Sequence, residues 1–110
     1  MKSLEFSDNK LNIDDKSFEL QYNIEEARIL DEKATVIYKF DELAPKNRQF
    51  NNCQAFDSDG TLLWTAEHPT NTSADFYINF MKDNKLWNFG CFICAIDFST
   101  GKLLNAQFTK

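Results

Sequence analysis

The sequence predicts an all-β fold in which about eight to nine strands form an antiparallel meander, a single domain over residues 1–110. The strands are expected to pack as blade-like sheets, as a sandwich or as an open barrel. One observation is the apolar alternation of residues 17–24, and a second is the β-branched and aromatic run Thr35-Val36-Ile37-Tyr38. A third is that three Gly and two Pro leave most turns to Asp and Asn.

In the first half of the chain, apolar residues alternate with polar residues in short segments that are separated by polar turns. Residues 17–24 are predicted as one strand, because Phe18, Leu20, Tyr22 and Ile24 share one face. The predicted strands are 2–6, 10–13, 17–24, 27–30 and 34–40, and a polar loop follows at 42–49.

The second half is predicted to continue the meander. Asp59-Gly60 between apolar segments is a strong hairpin signal, and Pro69 lies in a predicted loop at 67–75. The predicted strands are 50–56, 61–66, 76–81, 85–91, 92–98 and 102–109.

An internal repeat links two of these hairpins. Ala55-Phe56-Asp57 and Ala95-Ile96-Asp97 each precede a turn that ends in Gly60 or Gly101, and each turn is followed by one residue and a Leu-Leu pair. The Asp side chain can bind turn N–H groups, and the Gly can take a positive φ. The repeat therefore has a structural explanation and need not mark a functional site.

Two hairpin motifs resemble the blade hairpins of quinoprotein-type propellers. The first is Asp-x-x-Gly-x-Leu-x-Trp at residues 57–64, and the second is apolar-Asp-x-x-Thr-Gly-Lys-x-Leu at 96–104. Two hairpins cannot close a propeller, which needs about four blades or more.

A closer resemblance, over residues 17–110, is to small bacterial all-β proteins, some of which resemble immunity proteins of contact-dependent growth inhibition. The motifs that carry it are Val36-Ile37-Tyr38, Asn51-Asn52, Asp59-Gly60 with Trp64, 86–90, and 96–102. This resemblance implies no catalytic residues.

Charge is the most informative compositional feature. The chain has 17 acidic and 12 basic residues, a net charge of −5, and the whole excess lies in residues 1–42. Such a field repels nucleic acid and anionic lipid and attracts a basic protein, although solubility alone is an alternative explanation. The candidate partner-binding residues are Asp14, Asp15, Glu25, Glu26, Asp31, Glu32, Asp41 and Glu42.

The remaining reactive residues do not form a recognisable catalytic or metal-binding motif, so no enzyme activity, cofactor or metal is expected. His68 is expected to be a solvated loop residue, and Cys53, Cys91 and Cys94 are expected to be buried structural thiols. Trp64 and Trp87 are partner anchors or core residues, and their alternating neighbours favour the core.

Two functions follow as hypotheses. The first is a cytoplasmic immunity protein that neutralises a basic toxin domain, such as a nuclease, without binding nucleic acid or membrane. A cytoplasmic location is expected because no signal peptide is visible at Met1. The second is a structural or regulatory β-module with an unrelated partner. A toxin gene next to this one would favour the first, and a deep apolar cavity would favour a third class, a small-molecule binder or minor enzyme.

Overall fold

The computed structural model describes residues 1–109, and its β-strands form three antiparallel sheets. Sheet 1 contains β1 (Leu4–Ser7), β2 (Lys10–Ile13) and β3 (Lys16–Glu19). Sheet 2 contains β4 (Ile24–Leu30), β5 (Lys33–Tyr38), β6 (Cys53–Phe56) and β7 (Leu62–Thr65). Sheet 3 contains β8 (Tyr77–Phe80), β9 (Leu86–Asn88), β10 (Phe92–Ile96) and β11 (Leu103–Phe108), with a short 3-10 helix (Lys82–Asn84) before β9. In this part of the chain, no helix is long and apolar enough to span a membrane.

The all-β prediction is confirmed, and each sheet is a simple meander in chain order. The described residues form 11 strands, which exceeds the overall expectation of eight to nine but equals the number of segments that were predicted individually. The prediction of one continuous strand over residues 17–24 is wrong. The chain leaves sheet 1 after Glu19 and enters sheet 2 at Ile24.

Sheet 2 is the middle layer, because β5 is buried on both of its faces. Ala34, Val36 and Tyr38 pack in the apolar cluster shared with sheet 1, which also holds Leu11 and Ile13. The alternate residue Ile37 packs in the cluster shared with sheet 3, together with Leu86, Cys94 and Ile96. Burying a side chain such as Ile37 stabilises the fold by roughly 1.5–3 kcal/mol.

The first strands of the three sheets lie next to one another, with β1 against β4 and β4 against β8. The last strands of sheets 2 and 3, β7 and β11, are free edges within residues 1–109. The three sheets therefore follow one another like consecutive blades rather than closing into a barrel.

An aromatic side chain of one sheet covers a turn glycine of the next. The ring of Phe18 in β3 lies against Gly60, and the indole of Trp64 in β7 lies against Gly101. Both glycines have positive φ, 79° and 80°, so the repeat recognised in the sequence supplies the contacts between successive sheets. The Trp64 indole N–H also donates to the Phe98 carbonyl, at 3.0 Å.

The cysteines are not all buried, contrary to expectation. Cys53 and Cys94 lie in the core, but Cys91 is exposed. It occupies the turn before β10, with φ 71°, rather than a strand. Cys91 and Cys94, although only three positions apart in the sequence, therefore lie in different environments: Cys91 in an exposed turn and Cys94 in the core.

Candidate protein-binding surface

Three hairpin turns carry acidic residues at one end of sheets 1 and 2, and two of them were predicted as partner-binding. Asp14 and Asp15 form the β2–β3 turn, and Asp31 and Glu32 form the β4–β5 turn. Asp14, Asp31 and Glu32 all have positive φ, between 51° and 59°. Asp tolerates this conformation better than most residues, so tight turns select it for steric reasons as well as for its charge.

The register of the strands brings these turns together with a third turn, 57–60. Ala34, which follows the β4–β5 turn, pairs with Phe56, which precedes turn 57–60. Lys16 Nζ lies 2.7 Å from Asp59 Oδ1, which joins the β2–β3 turn to the β6–β7 turn. We call this surface the acidic end. Its acidic residues are Asp14, Asp15, Asp31, Glu32, Asp57 and Asp59.

Most carboxylates of the acidic end are exposed, although Asp31 is paired with Lys33 and Asp59 with Lys16. The side chain of Asp59 is 72% exposed and that of Asp31 is 54% exposed. The hydrogen bond and charge of Lys16 hold the pKa of Asp59 below its ordinary value. Backbone N–H groups of Ser3 and Lys2 do the same for the pKa of Asp14, so both carboxylates stay ionised at neutral pH.

The other four acidic residues predicted as partner-binding lie elsewhere. Glu25 is exposed at a β-bulge of β4, and Glu42 is exposed in the loop after β5. Glu26 is half-buried, pairs with Arg28 at 3.1 Å and accepts the Phe80 N–H at 2.9 Å, so it connects sheet 2 to sheet 3. Asp41 accepts hydrogen bonds from the Asn23 side chain and the Leu43 N–H.

Asp57 and Asp59 belong to the acidic end but were predicted only as turn residues. Asp57 Oδ1 accepts the N–H groups of Asp59 and Thr61, at 2.9 Å each, so its turn role is confirmed. Their place beside the other turns depends on pairing between distant strands, for which the local sequence holds no signal.

Apolar side chains border the acidic end. Leu62 and Leu63 on β7 are 49% and 44% exposed, and Ile29 on β4 is 37% exposed. Exposed apolar side chains of this kind can add buried contact area to a protein-binding surface with a polar rim.

His68 is not the solvated loop residue that the sequence predicted. Its side chain is only 2% exposed, and its Nδ1 lies 2.8 Å from Asp75 Oδ1. Asp75 also accepts the backbone N–H and the hydroxyl of Thr70 and the Asn88 amide. Because the carboxylate can only accept, neutral His68 carries its proton on Nδ1.

The buried polar cluster fixes the loop 67–75 against sheet 3. Burial lowers the pKa of His68, an effect that outweighs the opposing hydrogen bond and charge of Asp75. The His68 ring packs against Tyr77 with centroids 4.6 Å apart. Its contacts with Asp75 and Tyr77 anchor the loop.

The two tryptophans differ in environment. Trp64 is buried, as the alternation predicted. Trp87 is half-buried on the outer face of sheet 3 and lines an open depression of about 470 Å³ with Asn79, Phe80 and Met81. A smaller depression of about 200 Å³ has a polar lining that includes Tyr38, Arg48 and Gln54.

Comparison with known proteins shows a domain-family model that matches nearly the whole chain. The model of a domain family of unknown function, DUF7957, matches residues 1–108. No curated protein and no solved structure matches the chain.

Proposed function

We propose that this chain, which belongs to the DUF7957 family, is an immunity-type protein that binds a basic toxin domain and neutralises it in the cytosol. The observation that carries the proposal is the convergence of three acidic turns at one end of sheets 1 and 2, joined by the Lys16–Asp59 ion pair. The exposed Leu62 and Leu63 beside these turns offer additional apolar contact area.

The chemistry of the partner follows from the sign of the charge. A nuclease domain must be basic where it holds the phosphate backbone. An acidic surface of similar extent can occupy that site, block substrate entry and accelerate encounter by electrostatic steering. The resemblance of the sequence to small bacterial all-β proteins, some of which resemble immunity proteins, supports the choice of a toxin as the partner.

A second candidate function is a regulatory or structural interaction module that uses the opposite end of sheet 2. There Phe76 is stacked between Phe40 and Phe89, with ring centroids 4.1 and 4.8 Å apart. Phe40 and Phe89 are 45% and 55% exposed. An exposed aromatic stack of this kind favours a partner with an apolar surface.

A survival assay tests the first proposal. The protein is co-expressed with the toxin domain encoded by the neighbouring gene, and the test variant is Asp15→Lys/Glu32→Lys at the acidic end. The matched control, Glu25→Lys/Glu42→Lys, changes net charge equally but lies outside the acidic end. We expect the control to protect cells and the test variant to fail while remaining folded, because exposed charges contribute little to stability.

Binding kinetics provide the second measurement. Raising salt from about 50 to about 500 mM shortens the Debye length from roughly 14 to roughly 4 Å, so the association rate should fall steeply. The absence of a neighbouring toxin gene, or equal protection by both double variants, would sink the proposal. If Phe89→Asp lost binding while both double variants still bound, the partner-binding surface would be the aromatic stack and not the acidic end.

A further inference from the structure

Sheet 3 differs from the other sheets in charge. None of the residues on strands β8–β11 is charged, although charged residues make up 26% of the chain. By contrast, sheet 1 carries Glu5, Lys10, Lys16 and Glu19 on its strands. Surfaces exposed to water are normally rich in Lys, Glu, Asp and Arg, whereas the centres of protein interfaces are depleted of them.

Strand β11 is the free edge of this uncharged sheet. Among the described residues it pairs only with β10. Leu104 and Phe108 on this strand are 67% and 59% exposed, and Leu104 is the most exposed large apolar residue of the described chain. An edge strand without Lys or Pro is a template for pairing with another strand, and β11 has this character although it contains a bulge at Leu104.

The other outer strands are shorter, charged or covered. Strand β3 carries Lys16 and Glu19, and β1 and β8 pack against β4. Strand β7 has four residues, and the indole of Trp64 fastens it to the next sheet. On β11 itself the N–H of Leu103 is already bound by Glu67 Oε1, at 2.7 Å, so the stretch open to pairing is 104–108.

We propose that residues 104–108 pair in antiparallel fashion with the same stretch of a second copy of this chain. Antiparallel pairing about a two-fold axis near Ala106 is self-complementary, as a symmetric dimer requires. The two four-stranded sheets then become one continuous eight-stranded sheet. Two chains of net charge −5 repel each other over most of their surfaces, and the uncharged sheet 3 provides an approach that avoids this repulsion.

The size of the contact sets the strength of the dimer. One strand pair with its flanking side chains buries less than the roughly 800 Å² per partner of a standard interface. The dimer therefore dissociates on dilution. It is independent of the acidic end, which lies on sheets 1 and 2, so a monomeric variant keeps the toxin-binding surface.

Sedimentation velocity tests the pairing, and the repeat offers a matched control. Leu104 and Leu63 occupy the equivalent bulges of the β10–β11 and β6–β7 hairpins. We expect the weight-average mass of the wild type and of Leu63→Lys to rise toward that of a dimer between about 10 µM and about 1 mM, the range of a weak interface. Leu104→Lys and Gln107→Lys should stay monomeric throughout, and Gln107→Lys serves if Leu104→Lys fails to fold.

Hydrogen exchange locates the contact. Amides of β11 should exchange several-fold more slowly at the highest concentration than at the lowest, whereas amides of β7 should not change. A wild type that remains monomeric at the highest concentration overturns the proposal. It is also overturned if Leu63→Lys dissociates the dimer as fully as Leu104→Lys, because the contact would then not be specific to β11.

Discussion

The indole of Trp64 lies directly on Gly101, in the turn of the next sheet. A methyl group added at Gly101 would stand 2.7 Å from the ring carbon Cε3. Phe18 covers Gly60 in the same way, one sheet earlier. The two contacts use the same position of the repeat. Packing of each sheet against the next therefore involves an aromatic ring that lies over a glycine.

Replacing Gly60 or Gly101 by Ala should lower the free energy of unfolding by about 1–3 kcal/mol each. The new methyl group collides with a ring, and φ near 80° is unfavourable for any residue with a Cβ. Urea denaturation measures the effect. The matched control is Ser58→Ala, an exposed residue of the Gly60 turn, which should change the midpoint little. Unchanged midpoints for both glycine variants would contradict the contacts.

The local parts of this architecture were predictable, and the contacts between sheets were not. Asp-to-Gly turns are determined by residues within a few positions, so the hairpins around Gly60 and Gly101 were predicted correctly. Nothing local shows that Trp64 reaches a turn that lies 37 positions away in the sequence. The strand predicted at 17–24 was wrong because Phe18, Leu20, Tyr22 and Ile24 all pack in one cluster while the chain crosses between sheets.

The candidate site shows the same division. Four of the eight predicted acidic residues meet at the acidic end, because they lie in turns that strand register aligns. Glu26 was predicted as a binding residue, but its carboxylate forms an ion pair with Arg28 and accepts a hydrogen bond from the Phe80 N–H. His68 was placed in solvent because loops are usually exposed. Its burial depends on Asp75 and Tyr77, which fold over it from the far side of the loop.

The Asn52 side chain joins sheet 2 to sheet 3, and its removal should be costly. Its amide donates to the carbonyls of Tyr38 and Tyr77, at 3.0 and 2.6 Å, and its oxygen accepts the Tyr77 N–H at 2.8 Å. Asn52→Ala removes these three hydrogen bonds from the core, so we expect a loss of about 3 kcal/mol or more in unfolding free energy. Asn51→Ala, at the exposed neighbouring position, is the matched control and should cost far less. Equal effects of the two substitutions would refute this role for Asn52.

The three cysteines should differ sharply in reactivity. Cys91 is exposed in its turn, whereas burial raises the pKa of Cys53 and raises that of Cys94 to about 11. A thiol reagent such as DTNB should therefore modify one cysteine of the native protein and all three of the denatured protein. Cys91→Ser should abolish the native reaction, and Cys94→Ser should leave it intact. Rapid native modification of more than one thiol would show that the core is more open than described.

The buried His68–Asp75 pair should make stability depend on pH. Burial lowers the pKa of His68, so the unfolded chain takes up a proton at higher pH than the folded chain does. Unfolding free energy should therefore fall as pH decreases through about 6.5, the ordinary histidine pKa, with a slope of at most about 1.4 kcal/mol per pH unit. Burial alone would raise the pKa of Asp75, but its bonds to Thr70, Asn88 and His68 outweigh burial and hold the value low. A further loss of stability is thus expected below about pH 4, as Asp75 protonates in the unfolded chain.

Urea denaturation between about pH 7.5 and pH 5.5 isolates the histidine effect, because carboxylates with ordinary pKa values titrate below this range. His68 is the sole histidine of the chain, so its titration can be followed directly by NMR. The control variant is His68→Asn, in which the amide N–H can take the place of Nδ1–H as donor to Asp75 but cannot titrate. This variant should lose the pH dependence in that interval even if it is less stable at pH 7.5. A wild-type stability that is flat, or that rises as pH falls from 7.5 to 5.5, would show that His68 is solvated or already charged in the folded protein.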